Sequence, residues 1–481
     1  MPDRTATSTR TERDSMGEMT VPADALYGAS TQRAVLNFPV SGQPVPASVV
    51  HAFGRLKAAC AMVNRDLGLL DAGRAEAIIE AAGQVGAGKH DAHFPVDVFQ
   101  TGSGTSTNMN ANEVIANLVC LARAAAIGSS KDPAYIEKGG VHPNDHVNMG
   151  QSSNDTFPTA MQLAGAVEIR TRLLPAVGRM AAKLEAHADA WDSIVKIGRT
   201  HLQDATPIRL GQEFSGYAAQ MRHAEGRIRR ALEALMELPI GGTAVGTGIN
   251  THPEFGARVS AELARTDGLP YREASNHFEA QHTRDCIVDA SAQLRTVAVS
   301  LSKIAGDIRL LGSGPRCGVG ELTLPAVQPG SSIMPGKVNP VICESMVMIT
   351  CQVIGNDAAV TMGGLGGVGS LLDLNVAMPM MARNLLESIT LLANGCEMFT
   401  DNLLEGLWPD EARCAELIEG SLAMCTSLAP VIGYDKAAAL AKEAFTTGRT
   451  VRQIALEKKV LPEEELNRLL DPMAMTKPDG V

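Results

Sequence analysis

Four clusters of small polar residues mark where this chain could do chemistry. They are Thr101-Gly102-Ser103-Gly104-Thr105-Ser106-Thr107-Asn108-Met109-Asn110; His142-Pro143-Asn144-Asp145 with Gln151-Ser152-Ser153-Asn154-Asp155; Gly198-Arg199-Thr200-His201-Leu202-Gln203-Asp204; and the run from Gly330 to Asn339. Each lies beside the start or end of a helical pattern. Ser, Thr and Asn side chains together with the free backbone N–H groups of helix N-termini bind carboxylates and phosphates. Taken singly, each cluster reads as ordinary N-capping. Four in one chain, with Lys337 and His201 the obvious charged members, favour an oxyanion site.

Other chemistries fit less well. Gly102-Ser103-Gly104 does not continue as GxGxxG and no GxxxxGK[ST] occurs, so nucleotide binding by those routes is not supported. Gly366-Gly367-Val368-Gly369 lacks a preceding strand and reads as a turn or a close backbone approach. His142 and His146 sit four apart, but Pro143 and Asn144 make that stretch a turn, and no metal is expected. Cys317 and Cys343 read as small buried apolar residues. The nine cysteines include no CxxC pair, which points to a reducing compartment, the cytoplasm, rather than to a disulfide framework.

A net charge of −11 with no basic cluster opposes binding to nucleic acid, and no run of eighteen apolar residues suggests a membrane span. Arg4, Arg10 and Arg13 faintly suggest a transit peptide; Asp3, Glu12 and Asp14 dilute that pattern, leaving a short disordered tail as the expectation.

The elements that must position these clusters are helical. Aromatics are only 4% of the chain while Ala, Leu and Met abound, a bias toward helix. Apolar residues alternate by four and three along Leu210, Phe214, Tyr217, Met221, Ala224, Ile228, Ala231, Leu235 and Leu238. They do so again along Ile287, Ala290, Leu294, Val297, Leu301, Ile304, Ile308 and Leu311, and along Leu385, Ile389, Leu392, Cys396, Phe399 and Leu403. With weaker patterns near 157–189 and 341–362, these predict an all-α protein with a central bundle of about five long helices. At 1.5 Å per residue the stripes run roughly 30 to 45 Å. Stripes of that length are often shared between subunits, so a homo-oligomer is expected; the alternative is a helix pair within a monomer. Gly and Pro break up residues 1–150, and short helices are expected at 410–427, 434–446, 449–459 and 462–470. Three domains follow: 1–150, the bundle at 151–406, and a small helical domain at 407–481. The interruptions at 238–254 and 312–340 are rich in Gly and read as binding loops or lids.

Taken together, the four clusters resemble the fumarase/aspartase superfamily. The resemblance begins at Pro22-Ala23-Asp24-Ala25-Leu26-Tyr27-Gly28 and runs over nearly the whole chain, with Gly-Ser-Ser-x-x-Pro-x-Lys-x-Asn as its signature. Gly336, the segment from Gly198 to Pro207, and Gly314-Pro315-Arg316-Cys317-Gly318 look like the class II fumarase branch; aspartases tend to have Ala at the position of Gly336. The resemblance implies an all-helical, three-domain fold and a homotetramer whose active sites are each assembled from three subunits. It further implies reversible trans addition of water to a C4 dicarboxylate, fumarate, giving L-malate through an aci-carboxylate, with no metal or organic cofactor. Near alternatives are an aspartate ammonia-lyase and a catalytically silent structural member.

By motif position, the resemblance makes Ser331 the general base, His201 the group that handles water on the opposite face, and Glu344 the partner of His201. Lys337 and Asn339 would stabilise the doubly charged carboxylate. Ser103, Gly104, Thr105, Ser152, Ser153, Asn154, Thr200, Ser332 and Val338 complete the substrate contacts. His142, Asn144 and Asp145 resemble a second dicarboxylate site. The chain departs from the family pattern at Gly139-Gly140, where an arginine is expected, at Gly150 (Ser), at His146 (Asp) and at Asp373 (Glu).

Overall fold

The heptad stripes become single helices in the computed structural model, which describes residues 8–478. They are Leu210–Ala234, Asp285–Leu311 and Met378–Asn402, of 25, 27 and 25 residues, or about 38 to 40 Å long. Every residue of the three stripes is buried; Leu235 and Leu238, just past the first helix, continue its line. The weaker patterns are helical too. Ser153–Glu168 passes through a wide turn at Ile169–Leu173 into Leu174–Ala190, and Val341–Gly364 forms a fifth long element. Pro158 lies inside the first of these helices, in its second turn, where it removes one intrahelical donor without ending the helix. All sheet among the described residues is two-stranded, so the molecule is essentially all-helical.

Two compact units divide the chain. The first takes the described residues up to Leu174 with Arg227–Thr296 and Cys351–Leu392; the second takes Pro175–Gly226, Val297–Thr350 and Ala393 onward. Within the first, the helices Ala47–Asp66 and Ala72–Gly86 pack closely, because a side chain at Gly54 would collide with the backbone of Gly86. The expected close approach at Gly366–Gly369 is also present: a Cβ on Gly369 would strike the Gly363 carbonyl.

In the second unit Trp191 stacks on His187 at 4.2 Å and meets the edge of Phe214 at 4.6 Å, closing the core beside the Leu210–Ala234 helix. Three of the short C-terminal helices lie close to their expected spans, at Tyr434–Thr447, Val451–Glu457 and Glu463–Leu469, whereas the one expected at 410–427 breaks at Ser421 into Glu411–Gly420 and a 3-10 segment, Leu422–Leu428. Ile418, Leu428, Leu440, Ile454 and Leu466 form their shared core.

One expectation is overturned at the N-terminus. Residues 9–22 are not a disordered tail but a hairpin, Thr9–Asp14 paired with Gly17–Pro22. The acidic residues that interrupt the basic pattern, Glu12 and Asp14, help hold it together. Arg10 bonds Glu12 and the carbonyls of Pro22 and Tyr27, the last two at 2.7 Å, and Asp14 accepts from Arg33 at 2.7 Å. Asp3 and Arg4 lie outside the described residues. Cys343 is buried as expected, whereas Cys317 is exposed on the 312–340 loop, where no helix covers it. Among the described residues no single helix is long and apolar enough to cross a membrane.

Candidate active site

In the first unit two helix N-termini are tied together by hydroxyls. Thr105 opens the helix Thr105–Ala122 and Ser153 opens Ser153–Glu168. The Thr105 Oγ1 lies 2.7 Å from both Ser103 Oγ and Ser153 Oγ, forming a three-member relay. Gly104 makes the junction possible. Its φ is +72°, and any Cβ there would enter the ring of Phe157. Two partial positive helix ends and three rotatable hydroxyls suit a carboxylate.

Ser152 and Asn154 are held by the local fold. Ser152 caps its helix, donating its backbone N–H to Asp155 Oδ1 at 3.0 Å while its Oγ accepts from the Asn154 N–H at 3.2 Å. Asn154 Nδ2 donates to the Ala244 carbonyl at 2.8 Å. Asp155, fully buried, also accepts from the backbone N–H groups of Gly241 at 3.2 Å and Thr243 at 2.9 Å. The Gly-rich interruption at 238–254 is thereby pinned to the polar cluster. Burial pushes the Asp155 carboxyl up to about 6, against the pull of those three donors.

Below this cluster is a group that motif reading passed over. Lys57 is fully buried and donates to Asn148 Oδ1 and Gln151 Oε1, both at 2.9 Å. The available signal was a lysine inside the apolar face formed by Phe53, Leu56 and Cys60.

In the second unit, Thr200 and His201 sit at the tip of a hairpin formed by Val195–Thr200 and Gln203–Arg209. Its two-residue turn, His201-Leu202, has φ values of +56° and +61°. Such turns ordinarily use Asn-Gly, because both positions need the left-handed region. Placing histidine and leucine there costs free energy, and strain of this kind concentrates at functional sites. His201 is exposed, and no hydrogen bond or ion pair joins it to Glu344 within the chain.

The 312–340 loop ends in a tight fold around Ser331. The Oγ of Ser331 accepts from the backbone N–H groups of Ile333 at 3.2 Å and Met334 at 3.1 Å. Asn339 Nδ2 donates to the Gly330 carbonyl at 2.7 Å, closing the loop. Ser332, Lys337 and Val338 are exposed, and Glu344 lies exposed in the first turn of Val341–Gly364.

The same loop is anchored to the His201 hairpin by a buried carboxylate with no sequence signature. Glu321 accepts two bonds from Arg199, both at 2.9 Å, and lies 3.2 Å from Lys196, which also pairs with Glu213 at 3.1 Å.

The residues resembling a second dicarboxylate site form a small polar turn. His142 Nδ1 accepts from the backbone N–H groups of Asn144 at 3.3 Å and Asp145 at 3.1 Å. Burial lowers the pKa of His142, against the pull of the Asp145 carboxylate 3.1 Å from Nδ1. His146 Nδ1 accepts from the His142 N–H at 2.8 Å. Two guanidiniums lie near Gly139-Gly140, but backbone carbonyls engage them: Arg74 bonds Gly140 and Ile136, and Arg123 bonds Gly139 and Gly73.

The other departures have local reasons. Gly150 has a φ of +70°, which a serine would adopt only under strain. Asp373 sits in an exposed two-residue turn, 3.9 Å from His282.

A family described as Lyase matches residues 17–355, and one described as Fumarase C C-terminus matches 424–477. A Corynebacterium efficiens protein named fumarate hydratase class II is 52% identical over 476 residues, 98% of this chain and 97% of that relative. One of the same name from Mycobacterium tuberculosis is 50% identical over 482 residues, 99% of this chain and 98% of that relative. The crystal structure of recombinant class II fumarase from Schistosoma mansoni superposes with a TM-score of 0.93 at 36% identity, covering 98% of this chain and 100% of that one.

Proposed function

The chain belongs to the lyase family, in its class II fumarase branch, and from that premise we propose how its residues perform the reaction. It is a hydro-lyase, a fumarate hydratase that interconverts fumarate and L-malate. The demanding step is removal of a weakly acidic carbon-bound proton beside a carboxylate. It becomes feasible when preorganised donors stabilise the doubly charged aci form.

The observation that supports Ser331 as the base is its pair of backbone N–H donors. A serine hydroxyl is a poor base until its alkoxide is stabilised, and donors 3.1 and 3.2 Å from Oγ do that without reorganisation. Lys337 and Asn339, on the same loop, face the developing charge. The relay of Ser103, Thr105 and Ser153, with Gly104, Ser152 and Asn154 around it, binds the substrate carboxylates, joined by Thr200, Ser332 and Val338. His201, presented on its strained turn, handles the water or hydroxide, with Glu344 as its partner. The mechanism draws on no metal or organic cofactor. His142, Asn144 and Asp145 form a second, weaker dicarboxylate site, since Arg74 and Arg123 are already engaged.

The proposal includes a homotetramer in the cytoplasm with each active site built from three subunits, on domains 1–150, 151–406 and 407–481. Three features support assembly. The Val341–Gly364 helix leaves Met348, Ile354 and Met362 exposed on the isolated chain. His201 and Lys337 are open to solvent, though the reaction calls for a site closed to water. Among the described residues the Glu344 side chain has no hydrogen-bond or ion-pair partner.

The test is a spectrophotometric assay of fumarate formation from malate and from aspartate. Turnover of malate is expected. Turnover of aspartate alone would make the protein an ammonia-lyase, and no turnover or ligand-induced thermal shift with malate, fumarate or aspartate would make it a silent member. Mass measurement in solution tests the tetramer.

A further inference from the structure

Lys57 is a buried cation in the first unit whose chemistry the reaction leaves unused. It lies on the buried face of Ala47–Asp66, one turn beyond Phe53, whose ring meets that of Phe157 at 6.0 Å. Phe157 is the ring that a side chain at Gly104 would strike, and Gln151, which Lys57 bonds, immediately precedes Ser152, so Lys57 is linked to the polar cluster through its neighbours. Its ammonium is held by neutral amide oxygens. Asn148 Oδ1, which it shares with Asn108 at 3.1 Å and Asn112 at 3.2 Å, and Gln151 Oε1 are its partners.

A cation removed from water is costly unless a countercharge faces it. Among the described residues no carboxylate forms an ion pair with Lys57. Two titratable groups bear on it, Asp155 from the Ser153–Glu168 helix and Cys60 from its own helix. Asp155 is already committed to three backbone N–H groups, and burial keeps the Cys60 thiol protonated. Asp155 therefore answers the Lys57 charge only through space, and a carboxylate seated on the adjacent cluster would add a second countercharge.

We propose that Lys57 is a positioning residue for dicarboxylate binding: it holds Asn148 and Gln151, and so the approach to Ser152, and its charge is answered by the substrate carboxylate seated on the relay above. The inference rests on the proposed role of that relay. It also predicts a pH dependence. Burial pulls Lys57 down to about 7, so in the free protein its charge is present below that pH and lost as pH rises through it. Between pH 6 and pH 8 the charged fraction falls from roughly nine-tenths to one-tenth. If only the charged form binds, the apparent Kd rises about 10-fold.

The experiment is calorimetric titration of the full-length protein with succinate, a C4 dicarboxylate that cannot be hydrated, at pH 6, 7 and 8. The unmodified protein should weaken about 10-fold across that range. Lys57→Met should bind about 10-fold more weakly at pH 6, lose the pH dependence, and raise KM for malate more than it lowers kcat. A flat succinate Kd in the unmodified protein overturns the proposal. So does normal affinity at pH 6 in a Lys57→Met protein of unchanged mass and helicity. If that variant does not fold, the unmodified protein decides. Turnover of aspartate instead of malate would refute the assigned reaction while leaving the succinate result to judge Lys57.

Discussion

Replacing Glu321 by Gln removes the negative charge at the centre of a balanced buried cluster: Lys196 and Arg199 against Glu213 and Glu321. Glu321 is fully buried and Lys196 nearly so, which rules out the screening that makes exposed pairs weak. At an effective dielectric near 20, two unit charges 3 Å apart interact by about 5 kcal/mol. Gln keeps an oxygen acceptor but leaves a net buried cation, and removing one partner of a buried pair costs about 3–5 kcal/mol. The lower end is expected because Glu213 remains. Thermal melts followed by circular dichroism, with Glu405→Gln as control, measure it. Glu405 pairs with Lys183 at 2.7 Å on the surface, and its loss should cost under about 1 kcal/mol. In a double-mutant cycle, Glu321→Gln and Arg199→Met should couple by at least about 1.5 kcal/mol. Equal melting of the Glu321 and Glu405 variants, or simple additivity in the cycle, would refute the reasoning. Because Arg199 stands two residues before His201, kcat should fall as well.

Gly104→Ala should destabilise the protein by about 3 kcal/mol or more and abolish dicarboxylate binding, since the methyl enters the Phe157 ring at a left-handed backbone position; a normal melting curve would contradict this. Leu202→Gly should stabilise by up to about 1 kcal/mol, because the exposed leucine buries nothing and holds a φ of +61°. A clear loss in melting temperature would show that Leu202 is held by contacts rather than strained. Ser331→Ala and His201→Asn should each lower turnover by at least about 100-fold with the assembly intact by mass measurement, and near-normal rates for the former would remove Ser331 as the base.

Much of the architecture was legible because helix periodicity is local. Ile304 shares one helix face with Leu301 and Ile308, three and four residues away, so the stripe that packing will cover can be read locally, and the stripes at 210–238, 287–311 and 385–403 are buried throughout. The polar clusters were legible for the same reason, since hydroxyls beside glycines at a helix start appear in the residue types themselves. The N-terminal hairpin is not legible in the sequence because its contacts depend on which distant groups meet: Arg10 with the Tyr27 carbonyl, seventeen positions away, and Asp14 with Arg33, nineteen positions away.

Sequence alone determined the helical class, the Gly330–Pro340 signature and the branch indicated by Gly336. Tertiary structure decided what holds those residues in place. Lys57 meets Asn148 across ninety-one positions, and Arg199 meets Glu321 across one hundred and twenty-two. No local pattern encodes such pairs. A buried charge is specified by whatever the fold brings to it, and burial itself gives Lys57 and Glu321 their energetic weight.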